Sequence, residues 1–247
     1  MRKLYLSYRI LQTVSAKLSW SHYVELIDIE DNLARSFYEK QCIHERWSVR
    51  ELRRQIDSGL FYRFALSKDK KGVIKLSKKG AITEKNEDIL RNPYVLEFLN
   101  IPEDYKYSEK ELEQKIIDNL QKFLLELGKG FTFVKRQFRI TLDNKHFYVD
   151  LVFYHKILKC YILIDLKKGK VDHQDVGQMN MYLNYFKHEE KQKGDNEPIG
   201  IILSTEKNET MAKYALGGIT NNLFISKYKL FLPDIKELEE QVKKILN

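Results

Sequence analysis

Two carboxylates interrupt otherwise apolar runs in the middle of this 247-residue chain, and a lysine follows the second of them. The runs are Phe147 to Tyr154, which contains Asp150, and Cys160 to Leu166, which contains Asp165. Lys167 stands two positions further on. A carboxylate enclosed by apolar groups without a partner is destabilising, so an acid inside a strand needs a cation or a metal ion beside it. If both runs are strands, side chains alternate between faces. Tyr148, Asp150 and Val152 then share one face, and Leu163, Asp165 and Lys167 share one on the next strand. A hairpin turning near Lys156 to Lys159 would bring both acids and the lysine to one end of a sheet. Two carboxylates with open water positions suit Mg²⁺ or Mn²⁺, hard cations that prefer oxygen ligands. A lysine beside them can orient the attacking water and stabilise charge building on a phosphorane. The chemistry predicted is divalent-metal-dependent hydrolysis of phosphodiesters. Asp-x-Lys alone also describes an ordinary strand-end salt bridge, so the tripeptide needs support from elsewhere.

Two helices supply that support. Ser108-Glu109-Lys110-Glu111 is a capping box that opens a helix predicted to run to Leu127 and to stop at Gly128 and Gly130. Glu113, Ile117, Leu120 and Leu124 recur at helical spacing along the stripe that faces the sheet. Glu113 therefore points inward, either as a third metal ligand or as a first-turn acid favoured by the helix dipole. In a second helix, over about 173 to 187, Gln178 and Tyr182 lie four residues apart with Tyr185 on the flank. Such an amide and phenol either hold a phosphate or base edge near the metal or form a polar packing position. His155 and His173 make no H-E-x-x-H pattern. Cys160 reads as a packed thiol, and the absence of a Walker-type loop argues against an NTP-driven enzyme.

The elements that must position these residues are of α/β type. After the helix from Ser108 come strands at about 131–142, 146–154 and 159–166, then the helix at 173–187 and a strand from Pro198 to Leu203. A helix from Asn208 to Leu216, ended by Gly217-Gly218, a strand from Leu223 to Tyr228 and a charged terminal helix after Pro233 complete the order, which predicts a mixed sheet flanked by helices. Residues 1 to about 64 read as helical, with a capping box at Ser48-Val49-Arg50-Glu51 and Trp20 and Trp47 preceding serines at helix starts. Residues 67–88, rich in lysine, read as a solvated loop or linker, and Tyr94 to Leu99 as a short apolar helix. The expected organisation is a helical N-terminal domain over 1–88, a connector over 89–107 and a catalytic domain over 108–247. A formal net charge of +8 favours polyanionic partners. Arg50, Arg53 and Arg54, with the Lys68 to Lys79 segment, are the expected phosphate contacts. Two cysteines exclude a disulfide framework. No apolar run reaches the length of a membrane span and the N-terminus lacks a signal-peptide core, so a cytoplasmic protein with no membrane partner is expected. The edge strand and terminal helix are the surfaces a homo-oligomer would use.

Asp150, then Asp165-x-Lys167, with Glu113 upstream and Gln178-x-x-x-Tyr182 downstream, resembles the PD-(D/E)XK nuclease superfamily, and the Gln/Tyr pair its RecB-type branch. LSWSHYVEL at Leu18 to Leu26, WSVRELRRQIDSGLFYR at Trp47 to Arg63, PYVLEFL at Pro93 to Leu99, LLELGKGFTFVKRQ at Leu124 to Gln137 and GQMNMYL at Gly177 to Leu183 resemble the bacterial YhcG-type family. That resemblance covers nearly the whole chain. It implies a restriction-endonuclease-like C-terminal domain behind a helical N-terminal domain, of which this chain is expected to hold only part. It also implies that Asp150, Asp165 and Glu113 ligate Mg²⁺ or Mn²⁺, that Lys167 is the catalytic lysine and that Gln178 and Tyr182 support the site. The implied substrate is nucleic acid, DNA ahead of RNA, and a non-catalytic scaffold on the same fold is the alternative. Two positions depart from the pattern. Val149 precedes Asp150 in place of proline, and Asp165 is one methylene shorter than the glutamate expected there.

Overall fold

Past Gly128 and Gly130, whose φ values of 97° and 106° suit glycine, the apolar runs fold into long strands. The computed structural model describes residues 18–66, 68–91, 93–102, 106–206 and 222–246. They fall into two compact units, Met1–Ile82 with Leu232–Asn247, and Thr83–Phe231.

The Thr83–Phe231 unit is built on a six-stranded sheet of β1 (Tyr94–Val95), β2 (Phe131–Leu142), β3 (Lys145–His155), β4 (Cys160–Lys170), β5 (Ile199–Glu206) and β6 (Asn222–Lys229). The order is β1-β6-β5-β4-β3-β2. Pairing is antiparallel through β2, β3 and β4 and parallel from β4 through β5 and β6 to β1. This is the mixed sheet that the element order predicts. Two apolar layers enclose it. On one face α6 (Glu109–Asp118) and α7 (Leu120–Leu127) pack Leu112, Ile116, Phe123 and Leu127 against Leu151, Phe153, Ile162, Ile164 and Leu166. On the other, α8 (His173–Tyr185) and the π turn after it pack Val176, Met179, Leu183 and Phe186 against Val149, Val152, Leu163 and Ile202. Each fully buried side chain of this size contributes about 1.5–3 kcal/mol, so the layers fix the strand register.

The expected helix from Ser108 to Leu127 is two helices. Ser108 caps α6 as predicted, but Asn119 leaves helical geometry at φ −117° and ψ 28°. The buried stripe consequently shifts to Leu112, Glu113, Ile116, Phe123 and Leu127, with Ile117, Leu120 and Leu124 packed at its margin. Tyr94–Val95 is a strand rather than a helix. It pairs with Tyr228 and Lys229 and extends the contact through the Leu96 N–H to the Lys229 carbonyl at 2.7 Å, satisfying an edge that would otherwise lie open.

The other unit comprises α1 (Trp20–Ile27), α2 (Asn32–Glu45), α3 (Val49–Asp57), α4 (Leu60–Ala65), α5 (Lys70–Lys79) and α9 (Ile235–Leu246). Ser48 caps α3 as predicted, accepting the Glu51 N–H at 3.2 Å. The cap of α1 is Ser19, one residue before Trp20, not Ser21. The lysine-rich stretch expected to be a linker contains α5, capped by Asp69 and ended by Gly80. Its charges hide Val73 and Leu76, which are three residues apart and both buried. The terminal helix, expected with residues 108–247, packs Leu238 and Val242 into this helical core. The helix expected over Asn208 to Leu216 lies outside the described residues, as do residues 1–17. Among the described residues, no helix is long and apolar enough to cross a membrane.

Candidate active site

The candidate site lies where β3 and β4 part. Their ladder runs from His155↔Cys160 to Leu151↔Ile164, and the next residue on each strand is an aspartate. Side chains take over the backbone pairing there. Asp150 Oδ2 accepts the Leu166 N–H at 2.8 Å, and Asp165 Oδ1 accepts the Asp150 N–H at 3.4 Å. A short acid at each arm thus satisfies backbone donors that the fork would leave bare. Asp165 is 4% exposed. Burial pushes its carboxyl up, and the neighbouring Asp150 charge pushes it further, to about 8. Asp150 is raised to about 6, by burial first, with the Leu166 N–H opposing and Glu113 adding.

Glu113 points inward as predicted and is 3% exposed. It meets the fork through Gln137, a residue that no local sequence pattern singles out. Gln137 Nε2 donates to Glu113 Oε2 at 2.6 Å and to Asp150 Oδ1 at 3.0 Å, so one amide ties the two carboxylates together. Arg136 Nε stands 3.3 Å from Glu113 Oε1. That is ion-pair distance without hydrogen-bond alignment, and Oε1 remains a buried oxygen with no hydrogen-bond donor. Gln137 sits at φ 46°, a left-handed conformation that costs a non-glycine residue about 1–3 kcal/mol unless its surroundings hold it. Its two carboxylate bonds do so. The β2–β3 pairs step from Arg136↔Leu151 to Phe138↔Val149, with Gln137 and Asp150 facing each other between them.

This irregularity corrects the expected alternation. Val149 and Val152 both pack on the α8 side, whereas Leu151 and Phe153 pack on the α6 side. Tyr148 and Asp150 therefore share a face, but Val152 does not join them. On β4 alternation persists, and Asp165 and Lys167 share a face as expected.

Lys167 Nζ pairs with Asp175 Oδ1 at 3.1 Å, in the first turn of α8, rather than with Asp165. Burial pulls its ammonium down, but the hydrogen bond and charge of Asp175, with Glu109 and Asp165, outweigh it and the net shift is upward. Gln178 and Tyr182 are hydrogen-bonded as their spacing predicts. The Tyr182 hydroxyl then donates to the Tyr148 carbonyl at 2.9 Å, clasping α8 to β3 two residues from Asp150. Burial pushes this phenol up to about 12, the Gln178 bond opposing and the charges of Asp165 and Asp150 adding. It is a neutral anchor. Cys160 is a buried thiol pushed up to about 12 by burial, and His155 is buried with its ring held below the usual range, again by burial.

Arg50, Arg53 and Arg54 lie on α3 in the helical unit. Arg50 is exposed. Arg53 reaches Glu25 at 2.5 Å and Arg54 reaches Glu51 at 3.5 Å.

Four carboxyl groups (Glu113, Asp150, Asp165, Asp175) here face two cations (Arg136, Lys167), an excess of two negative charges when all are ionised. Among the described residues, no three acid, imidazole or thiol groups stand close enough to form a ready-made metal cluster. Mg²⁺ does not require one, because one or two carboxylates with waters and a substrate phosphate suffice. Asp150 and Asp165 match that donor set in chemistry and in unbalanced charge. Gln137, Arg136 and Asp175 escaped the sequence reading, although Lys135-Arg136-Gln137 visibly breaks the apolar pattern of β2.

The model of the YhcG PDDEXK nuclease domain matches residues 87–243. The chain belongs to that family. Residues 1–63 match the DUF1016 N-terminal domain. The chain is 43% identical over 239 residues to the Escherichia coli (strain K12) protein named "Putative nuclease YhcG", covering 96% of this chain and 63% of that relative's length. Among solved structures, it is similar to a repair endonuclease from Pyrococcus abyssi, with 27% identity, a TM-score of 0.37 and coverage of 53% of this chain and 50% of the other. It is also similar to EndoMS in a complex with double-stranded DNA, with 20% identity, a TM-score of 0.37 and coverage of 54% and 50%.

Proposed function

We propose that this protein hydrolyses phosphodiester bonds of DNA with the help of a divalent cation, Mg²⁺ or Mn²⁺, held by Asp150 and Asp165. The observation that carries the reading is the fork itself, where two adjacent carboxyls are both pushed up by burial, Asp165 further by the charge of Asp150 and Asp150 further by that of Glu113. Buried charge of one sign is destabilising until an opposite charge arrives. Membership of the nuclease-domain family supports the same reading.

A bound cation would supply Lewis-acid polarisation of a phosphate oxygen and a more acidic water. The chain's own residues then have separate tasks. Asp150 and Asp165 hold the ion and release their protons to do so. Lys167, half-buried and charged, stabilises negative charge on the phosphate as the P–O bond to the leaving oxygen breaks and the water oxygen bonds to phosphorus. Asp175 positions Lys167. Gln137 positions Asp150 and Glu113, and Glu113 supplies the third acid through its unbonded Oε1. Gln178 and Tyr182 hold α8 against β3 so that the fork keeps its spacing.

The test is incubation with plasmid, linear and single-stranded DNA and with RNA, in Mg²⁺, Mn²⁺ or EDTA, for the wild type, Asp165→Ala and Lys167→Ala. DNA cleavage that needs a cation and is lost in both variants is expected. Cleavage that survives EDTA and both substitutions would sink the reading, and binding without cleavage under every condition would favour a scaffold.

A further inference from the structure

The β2–β3 hairpin outruns the sheet at the fork. β3 pairs with β4 only from Leu151 to His155, yet it continues to pair with β2 from Val149 back to Lys145. Residues Phe138 to Val149 therefore form a two-stranded ribbon that begins at Asp150 and leads away from it. One face is packed. Phe138 lies 4.9 Å from the Phe186 ring between centroids, and Ile140 and Val149 are fully buried in the same cluster. Alternation puts Arg139, Thr141, His146 and Tyr148 on the opposite face, the one that also carries Asp150, and all four are exposed. Arg139 stands directly across from Tyr148, and Thr141 from His146, where the hydroxyl and ring are 3.0 Å apart. The tip, Thr141 to His146, is exposed throughout, and its turn residues Asp143 and Asn144 both have positive φ, the tight hairpin geometry of a type I′ turn.

We infer that this ribbon face is the docking surface for a DNA duplex, holding the backbone of the strand whose phosphodiester lies at the Asp150–Asp165 fork. The inference rests on the proposed nuclease reading and adds where the substrate runs. Three observations carry it. The face is continuous with Asp150, so a strand entering the fork must pass over it. Its rungs, Arg139 with Tyr148 and Thr141 with His146, are two residues or about 7 Å apart, comparable to the separation of successive phosphates. Its donors are a guanidinium, a hydroxyl, an imidazole and a phenol, the groups that contact phosphates without reading sequence, and Arg139 is the exposed cation among them. The shape also selects the partner. A two-stranded ribbon fits the major groove of B-form DNA, about 12 Å wide, whereas the major groove of A-form RNA is too narrow and deep to admit one.

The experiment is fluorescence anisotropy of a labelled DNA duplex in EDTA, titrated at several salt concentrations. Arg139→Ala should flatten the plot of log K against log salt by about 0.9, the value of one phosphate contact. Deleting Thr141, Leu142, Lys145 and His146, which brings Ile140 and Phe147 onto the same Asp143-Asn144 turn, should weaken binding further while circular dichroism stays unchanged. Lys156→Ala, at the opposite end of β3, serves as the single-charge control and should leave the slope at its wild-type value. Equal slopes for Arg139→Ala and Lys156→Ala would overturn the inference. So would an absence of DNA binding by the wild type, or duplex RNA binding with the same affinity and the same dependence on Arg139. Failure of the nuclease reading shows differently, as no cleavage in Mg²⁺ or Mn²⁺ whatever the slopes.

Discussion

Acidic residues gather in both units, with different partners. In the helical unit, Glu25, Asp28, Glu30, Asp31, Asp57 and Glu239 line a cavity of about 340 Å³ together with Arg53. There Glu25 is held below the usual carboxylate range, first by its hydrogen bond from Arg53. Asp31 caps α2, accepting the Leu33 and Ala34 N–H groups at 2.8 and 3.3 Å and the Tyr62 hydroxyl at 3.3 Å. At the fork, Asp150 and Asp165 are pushed the other way. Glu25 and Asp31 are structural because each has its own partners, a guanidinium for one and helix N–H groups for the other, whereas Asp57 in the same cavity is raised by burial as the fork acids are. The ribbon adds a proposed phosphate contact to the expected ones, of which Arg50 is exposed. Arg53 and Arg54 face carboxylates, whereas the ribbon beside the fork presents Arg139 to solvent.

The largest difference between the two units is expected in kinetics. Asp165→Ala and Lys167→Ala should each lower DNA cleavage by about 10²–10³-fold or more, while Asp31→Ala should leave turnover of the folded protein unchanged. Comparable losses in the two units would erase the distinction. The next largest effect is on cation-free stability. The folded-state pKa of Asp165 lies above its unfolded value, so between pH 4 and about 8 the native state holds more protons than the unfolded one. Stability contributed by the protonated form is complete below pH 4 and is lost as pH rises through that window. Asp165→Asn removes this dependence. Its melting temperature relative to wild type should climb with pH, by at most about 3–5 °C per pH unit. A constant offset from pH 5 to 8, measured by differential scanning fluorimetry in EDTA, would contradict the burial argument.

Smaller effects sharpen the same contrast. Gln137→Ala removes two hydrogen bonds to carboxylates and should cost about 2 kcal/mol in urea unfolding, with a further loss of cleavage that Gln137→Glu does not restore. Asp31→Ala should cost about 1 kcal/mol through the lost helix cap and nothing in cation affinity. Arg53→Ala, an exposed pair with Glu25, should produce the smallest change, with duplex DNA binding unaltered.

Much of the site was legible because strand acids and helix spacing are local signals. Asp165 and Lys167 follow alternation, which breaks at Asp150; Glu113 faces inward although the stripe around it shifts, and Gln178 with Tyr182 follow their four-residue spacing. What escaped depends on contacts between distant segments. Gln137 acquires its place only when β2 lies beside β3 and both are irregular at the same point. Asp175 reads as a helix-start acid until α8 folds back onto β4 and meets Lys167. The helix over Lys70–Lys79 was hidden because charge content outweighed two apolar anchors, and Tyr94–Val95 became a strand because β6 needed a partner. The terminal helix carries a clear amphipathic pattern, but no local feature says which core its Leu238 and Val242 join.

If the fork holds a divalent cation in exchange for protons on Asp150 and Asp165, cation uptake and proton release are linked. Isothermal titration of Mn²⁺ at pH 6.5 and at pH 8, in buffers of different ionisation enthalpy, measures both quantities together. Binding with proton release, greater at the lower pH, is expected, with loss of both in Asp165→Asn. Binding that is absent, or that persists unchanged in Asp165→Asn without proton release, would contradict it.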